Sequence, residues 1–400
     1  MIMTGYVLPY LILIALASFG AVHWIFPRIL WIAKTKGLVD LPDYRKLQEK
    51  AIPVLGGIAV FFGLLVGMML FLALHPNSIP GDTVVLAPVL ISASIMLYTG
   101  CIDDIVGLSP VTRLVLETLA VLGLVLGTGT CIDSFHGLWG IGSLPIPVAI
   151  PLTILAGVGI INAYNMVDGV NGLSSGLCIA VCIIMGGFFF CRADYTDAAI
   201  AASLTGALIP FYLHNVFGDK SKMFIGDSGT MVMGLLISWF VIRTLSFKDT
   251  ATVSAPSNLI AMMLAVTCVP VFDTLRVITF RIFRGRSPFM ADKTHLHHAF
   301  IISGISHFIT GLTELAINLF VIAVWFLCYR ARLSQEVQLY ITIITALIMV
   351  WGSYLFLHYQ EKRDTPRFRR FKNFTKAAHL GARPGWIKFQ KLIDYGTKKL

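Results

Sequence analysis

The chain has 400 residues, of which 56% are hydrophobic and 13% charged, with a mean hydropathy of +0.80. Soluble domains carry about 25% charged residues, so the composition excludes a water-soluble globular protein and leaves an all-α polytopic membrane protein. The formal charge is +10, and seven scattered cysteines with no Cys-x-x-Cys spacing argue against a disulfide framework or a cysteine zinc site.

Crossing ~30 Å of hydrocarbon takes about 20 apolar residues in a helix. The apolar windows predict about eleven spans, near 7–33, 53–74, 84–101, 111–129, 146–165, 173–191, 198–217, 229–247, 259–283, 308–330 and 338–357. No Lys or Arg precedes the first run, so it reads as a span and not as a removable signal peptide. The organisation expected is a transmembrane catalytic domain over 1–357 and a basic cytoplasmic tail over 358–400.

The first linker carries Lys34, Lys36, Arg45, Lys46 and Lys50 and ends in Gly56-Gly57. It reads either as a solvated loop of the positive-inside kind or as a basic clamp for phosphate. The second opens with Asp103-Asp104, followed by Arg113. Adjacent carboxylates repel, and a cation or a shared proton relieves them, as in a magnesium site or a general base.

The third linker is Asn162-Ala163-Tyr164-Asn165-Met166-Val167-Asp168-Gly169-Val170-Asn171-Gly172. A turn needs one or two such polar residues, and a carboxylate beside hydrocarbon is costly unless it binds something. Asp168 offers a hard oxygen, and Asn162, Asn165 and Asn171 can meet base or sugar edges. Between the fourth and fifth spans, Thr130–Pro147 reads as a hairpin or loop with Trp139 at the interface.

The fourth linker holds Asn215, Lys220, Lys222 and Phe224-Ile225-Gly226-Asp227-Ser228-Gly229. Small residues at a helix start present N–H groups to phosphate, and an acid there needs a metal to tolerate it. The fifth holds Arg284, Arg286, Asp292, Lys293 and His295-Leu296-His297-His298. Three histidines beside cations suit phosphate oxygens better than zinc. Asp273 and Arg276, three residues apart just inside the preceding span, read as an ion pair on one helix face.

Lys and Arg collect in the first and fifth of these linkers and in the tail, where twelve follow Gln360. The expected topology is therefore N-terminus outside and C-terminus cytoplasmic, with the site in cytoplasmic loops. The tail interleaves basic and aromatic residues, as in Arg367-Phe368-Arg369-Arg370-Phe371-Lys372, which suits an anionic membrane surface and not nucleic acid. A carrier would place its polar groups near the midplane, whereas here they gather at one face.

Taken in order, Asp103-Asp104, Asn162-x-x-Asn165-x-x-Asp168-Gly169, Phe224-x-Gly226-Asp227-x-Gly229 and His295-x-His297-His298 resemble the motifs of the polyprenyl-phosphate N-acetylhexosamine-1-phosphate transferases. The resemblance covers about residues 35 to 305. It implies a membrane enzyme of the bacterial inner membrane that moves HexNAc-1-phosphate from a UDP-N-acetylhexosamine to polyprenyl (undecaprenyl) phosphate and releases UMP. The sugar implied is GlcNAc, and the product would start a lipopolysaccharide or cell-wall glycan.

The cofactor implied is Mg²⁺, with Mn²⁺ as a substitute. Asp227 would be its main ligand, and Asp103 or Asp104 a further ligand or the base for the lipid phosphate, near Arg113. Asp168, Asn215 and Phe224 would surround the uridine, His295, His297 and His298 the donor phosphates, and Arg284 and Arg286 the sugar, with Asn165 a further substrate-binding residue. Leu296 interrupts the three successive histidines usual in the related phospho-MurNAc-pentapeptide transferases. Asn171 and Gly107 stand where some members carry acids. A sugar-lipid or ion transporter, a phospho-MurNAc-pentapeptide transferase of the same family and a membrane scaffold remain as alternatives, and the oligomeric state stays open.

Overall fold

The computed structural model describes residues 4–40, 51–74, 79–246, 258–287, 294–377 and 384–397. Arg45, Lys46, Lys50, Asp292 and Lys293 lie outside the described residues. The chain is almost wholly helical, as its composition requires: a backbone in hydrocarbon must satisfy its own N–H and C=O groups. Among the described residues ten helices are long and apolar enough to cross a bilayer, and one bent pair brings the number to eleven. Each predicted window falls on one of these.

The spans are α1 (Thr4–Thr35), α2 (Gly56–Leu74), α3 (Ile79–Val106), α4 (Pro110–Thr128), α5 (Ile146–Met166), α6 (Leu173–Cys191), α7 (Tyr195–Phe217) and α8 (Gly226–Leu245). The ninth is broken into α9 (Leu259–Val266) and α10 (Cys268–Phe283), which meet at 79°. A short α11 (Leu296–Ile302) leads into α12 (His307–Arg330). The last span joins α13 (Gln335–Ala346) through one wide π turn to α14 (Ser353–Arg363), and the tail forms α15 (Pro366–Ala377) and α16 (Pro384–Ile393).

Helix α8 is the axis of the bundle, with 94% of its apolar window buried. Small residues let its neighbours close on it. A Cβ at Gly100 of α3 would lie 2.4 Å from Ser228 Cα, and one at Gly57 of α2 would lie 2.2 Å from the Gly229 nitrogen. Backbones approach this closely only where side chains are absent. The outer surface is lined instead by exposed Leu, Ile, Val and Phe on α1, α4, α12 and α13, as lipid contact requires.

The break between α9 and α10 would leave backbone groups bare in hydrocarbon. Asn318 of α12 supplies both partners: its Oδ1 accepts from the Val269 N–H at 2.9 Å and its Nδ2 donates to the Val266 carbonyl at 3.1 Å. Pro270 follows at the start of α10, where a missing N–H costs little. The Thr130–Pro147 segment is a hairpin: Ser134 pairs with Ser143, and the Trp139 indole donates to the Tyr340 hydroxyl at 2.9 Å.

Candidate functional site

The acids of the second linker belong to the last turns of α3, which runs on to Val106. Hydropathy windows end early there because they penalise charge, whereas a helix continues until something caps it. Both carboxylates are held. Asp104 accepts from the Asp227 N–H at 2.8 Å and the Ser228 N–H at 3.1 Å, so it caps α8 from another helix. Gly226 makes room for it: its φ is +73°, and a Cβ there would lie 2.5 Å from Asp104 Oδ2. This corrects the expectation that the N–H groups at the start of α8 are presented to a phosphate, because the Asp104 carboxylate already takes them.

Asp103 accepts from the Leu108 N–H at 2.7 Å and from Arg113 at 3.1 Å. Arg113 is the hub of the site. One arm of its guanidinium reaches Asp103, and the other donates to Asn165 Oδ1 at 2.7 Å. The Asn165 amide in turn donates to Asp227 Oδ1 at 2.6 Å and to the Thr230 hydroxyl at 2.8 Å. Behind Arg113 stands Glu117, buried on the next turn of α4, at 3.4 Å from Nε. Glu117 also accepts from the Asn162 amide at 2.5 Å. The sequence reading missed Glu117; its only signal was a lone acid four residues after Arg113 in an apolar run.

Linkers one, three, four and five are stitched to this centre. Pro53 of the first accepts from the Phe224 N–H at 2.8 Å, and the Gly56 and Gly57 N–H groups donate to Phe224 and Ile225 carbonyls. This fixes Phe224 and the approach to Asp227. Asn215 ties the third linker to the fourth: its Oδ1 accepts from the Gly172 N–H at 2.7 Å, and its Nδ2 donates to the Met223 carbonyl at 2.8 Å. The Ser174 hydroxyl donates to Asp168 at 2.5 Å. Burial, reinforced by the Asp227 charge, outweighs that hydrogen bond and pushes the Asp168 carboxyl up to about 7.

The histidines are built on the expected Asp273–Arg276 pair, which closes at 2.7 Å. Asp273 reaches farther than an ion pair on its own helix. It takes His295 Nδ1 at 2.7 Å and the Leu296 N–H at 3.1 Å, while Arg276 donates to the Thr294 carbonyl. A carboxylate behind an imidazole fixes its tautomer and orientation. His297 packs on Gly169, where a Cβ would lie 2.2 Å from Nε2. Burial, with His298 and His295 beside it, holds His297 well below the usual histidine range, so it is a neutral ring. Among the described residues its buried Nδ1 has no hydrogen-bond partner.

A cavity of about 1520 Å³ gathers these groups. Asp103, Asp104, Arg113, Asn165, Asp168, Asn215, Phe224, Asp227, His295, His297 and His298 all line it, as do Asn162 and Asn171. Arg284 and Arg286 do not; they sit exposed beyond the end of α10, and Arg281 lines the cavity instead. Much of the remaining lining is apolar, with Leu152, Leu155, Ile260, Met263, Leu264 and Ile278.

Among the described residues no three His, Cys, Asp or Glu side chains form a metal shell. Asp227 nevertheless has Asp103, Asp104 and Arg113 as electrostatic neighbours. With Asp104 taken up by the α8 N–H groups, the Asp227 and Asp103 carboxylates fit a magnesium ion by type and charge, since magnesium uses one or two carboxylates and completes its shell with phosphate and water.

Fold and site together define a polytopic membrane protein with an acid, amide and histidine centre at one face of the bundle. Residues 86–245 match the family model described as Glycosyl transferase family 4. The chain is similar to undecaprenyl-phosphate alpha-N-acetylglucosaminyl 1-phosphate transferase of Yersinia pestis, 28% identical over 68% of this chain and 71% of the relative. The same protein of Salmonella typhi is 29% identical over the same shares. A probable undecaprenyl-phosphate N-acetylglucosaminyl 1-phosphate transferase of Bacillus subtilis is 28% identical over 88% of this chain and 91% of its own length. The resemblance read from the ordered motifs is borne out.

Proposed function

We propose that this chain is a phosphoglycosyltransferase that moves HexNAc-1-phosphate, with GlcNAc as the sugar, from a UDP-sugar to polyprenyl phosphate. The single observation that carries the reading is the cavity. Acids, Arg113 and histidines line it together with many apolar side chains, which suits a charged diphosphate meeting a lipid phosphate. An oxygen of the lipid phosphate forms a bond to the sugar-bearing phosphorus. The bond from that phosphorus to the bridging oxygen breaks, and UMP leaves with that oxygen.

The chemical difficulty is the approach of two anions, and neutralisation with positioning supplies most of the catalysis of such transfers. A magnesium ion would supply charge neutralisation between the diphosphate and Asp227. Asp103, held by Arg113, is the acid placed to orient or deprotonate the lipid phosphate. His295, His297 and His298 face the donor phosphates. Asp168 and Phe224 lie where the nucleoside would rest, with Asn215 holding their two loops together. Arg281, and not Arg284 or Arg286, is the arginine of α10 within the cavity.

The test incubates purified protein with a panel of UDP-HexNAc donors, polyprenyl phosphate and magnesium. UMP should be released only when lipid phosphate is present, and mass spectrometry should find a lipid diphosphate carrying one HexNAc. UMP release that ignores the lipid, or no lipid product with any donor, sinks the reading.

A further inference from the structure

The tail does more than follow the last span. Asp364 turns the chain directly after α14 with φ at +43°, and α15 begins two residues later. Phe368 on α15 is buried, and the helix lies over the turn between α11 and α12. A Cβ at Gly304 in that turn would meet Thr375 Oγ1 at 3.2 Å and the Lys372 carbonyl at 3.4 Å. That turn directly follows the helix that carries His297 and His298.

Helix α16 then seats on the fourth linker. The Phe217 ring meets Trp386 and Phe389, each at 5.0 Å, and Trp386 also meets Phe308 at 5.5 Å. Just past α16, Asp394 is buried and accepts from the Asp219, Lys220 and Ser221 N–H groups at 3.3, 3.2 and 3.0 Å and from the Ser221 hydroxyl at 2.6 Å. Three successive N–H groups on one carboxylate form an anion nest. This one is filled from the far end of the chain, six residues before Asp227.

Among the described residues another side of α15 is open, apart from the Phe371 ring stacked on Phe368. Arg367, Arg370, Phe371 and Phe374 fall on one side of the helix at its 3.6-residue period, and all four are exposed. No acid lies in Pro366–Ala377. A helix of this kind, starting three residues after a membrane span, meets a surface that is negative and greasy, which is an anionic lipid leaflet.

We propose that the tail is a strap: its α15 docks on anionic lipid through Arg367, Arg370, Phe371 and Phe374, and its Asp394 holds the 219–221 turn, so that the lipid surface sets the order of the two loops flanking the site. The hold on the turn is independent of the reaction; only its effect on turnover rests on the transfer proposed above.

The full chain would be placed in nanodiscs of zwitterionic lipid alone or mixed with phosphatidylglycerol, and hydrogen exchange followed at the amides of Asp219, Lys220 and Ser221. One basic residue at an anionic surface is worth about fivefold in binding. Anionic lipid should slow exchange at these amides by about fivefold or more and lower the donor KM. A variant with Arg367→Gln, Arg370→Gln, Phe371→Ser and Phe374→Ser should lose that response to lipid. Asp394→Ala should exchange fast in both lipids, while trypsin cleavage after Arg367 and Arg370 stays suppressed on the anionic discs. Equal exchange in the two lipids, or a response that survives the four substitutions, overturns the strap. So does protection of the three amides in Asp394→Ala. If exchange responds as expected but no HexNAc transfer is detected with any donor, the strap stands and the functional reading fails.

Discussion

Three carboxylates of the centre differ in what already holds them, and that difference separates their roles. Asp104 spends both oxygens on N–H groups of α8, Asp103 is divided between the Leu108 N–H and Arg113, and Asp227 accepts from Asn165. Asp227→Asn should therefore abolish turnover and weaken magnesium-dependent donor binding. Asp103→Asn should lower turnover by about 10²–10⁴-fold, the scale of a positioned acid or base, and leave donor binding mostly intact. Asp104→Asn loses one cap bond as well as a charge, so it should also cost about 1–3 kcal/mol of stability. The measurement is donor binding and turnover across a magnesium titration, with thermal unfolding alongside; if Asp227→Asn keeps the wild-type magnesium dependence while Asp103→Asn loses it, the roles are reversed. Asp168 gives a second expectation. Its folded pKa is raised to about 7, so the folded state holds a proton that the unfolded chain gives up near 4. Its stabilising contribution is present below pH 4 and is lost as pH rises through 7. Compared with Asp168→Asn, which keeps the Ser174 bond, the wild type should lose melting temperature steadily from pH 4.5 to 7 and then level off. A difference that is flat with pH would show the carboxyl ionised throughout.

At the scale of elements, the broken ninth span is the clearest case of one helix completing another. Asn318 is a single amide in an apolar run, and nothing in its local sequence marks it. Its two hydrogen bonds become meaningful only when α12 lies beside the break. Asn318→Leu fills similar space and removes both partners, leaving a buried N–H and C=O. The cost should be about 1–3 kcal/mol per bare group, partly offset by relaxation in the bilayer. Thermal unfolding in detergent reads this, and an unchanged midpoint would mean that water or another side chain serves the break. The same logic marks the limits of sequence reading. Apolar length showed where the spans lie, because hydropathy is local. The motifs showed which side chains gather, because each linker carried its own. Hidden from view were the partners: Asn165 with Asp227, 62 positions apart, Asp104 as a cap for α8, and Asp273 behind His295. Such pairings depend on which helices are neighbours, and the close-packing glycines that decide this carry no hydropathy signal. The resemblance puts Arg284 and Arg286 near the sugar, yet both lie exposed beyond the end of α10, and Arg281 lines the cavity instead.

Across the whole molecule, the faces of the bundle sort without reference to charge, and this bears on how the chain crosses the membrane. The hairpin marks one face. His136 of the hairpin contacts the Leu245 carbonyl at the end of α8 at 3.0 Å, and Trp139 bonds Tyr340 near the start of α13. Asn258, just before α9, donates to the Gln335 carbonyl, so α9 starts at the hairpin face. The end of α10 leads to His295, and His297 packs on Gly169 beside the acids. Among the described residues the bent pair therefore runs from one face toward the other, and taken as one span it brings the crossings to eleven. An odd number puts the two termini on opposite sides. The acid face also carries Arg113, Arg284, Arg286 and the basic tail, and basic linkers stay in the cytoplasm. A reporter fused after Leu400 and one inserted near Lys46 should both read cytoplasmic, while one near Gly137 reads outside. Were the pair a re-entrant loop, crossings would number ten, and the Leu400 reporter would read on the side opposite the Lys46 reporter. A cytoplasmic reading at Gly137 would instead invert the bundle and put the acids out of reach of a cytoplasmic nucleotide sugar.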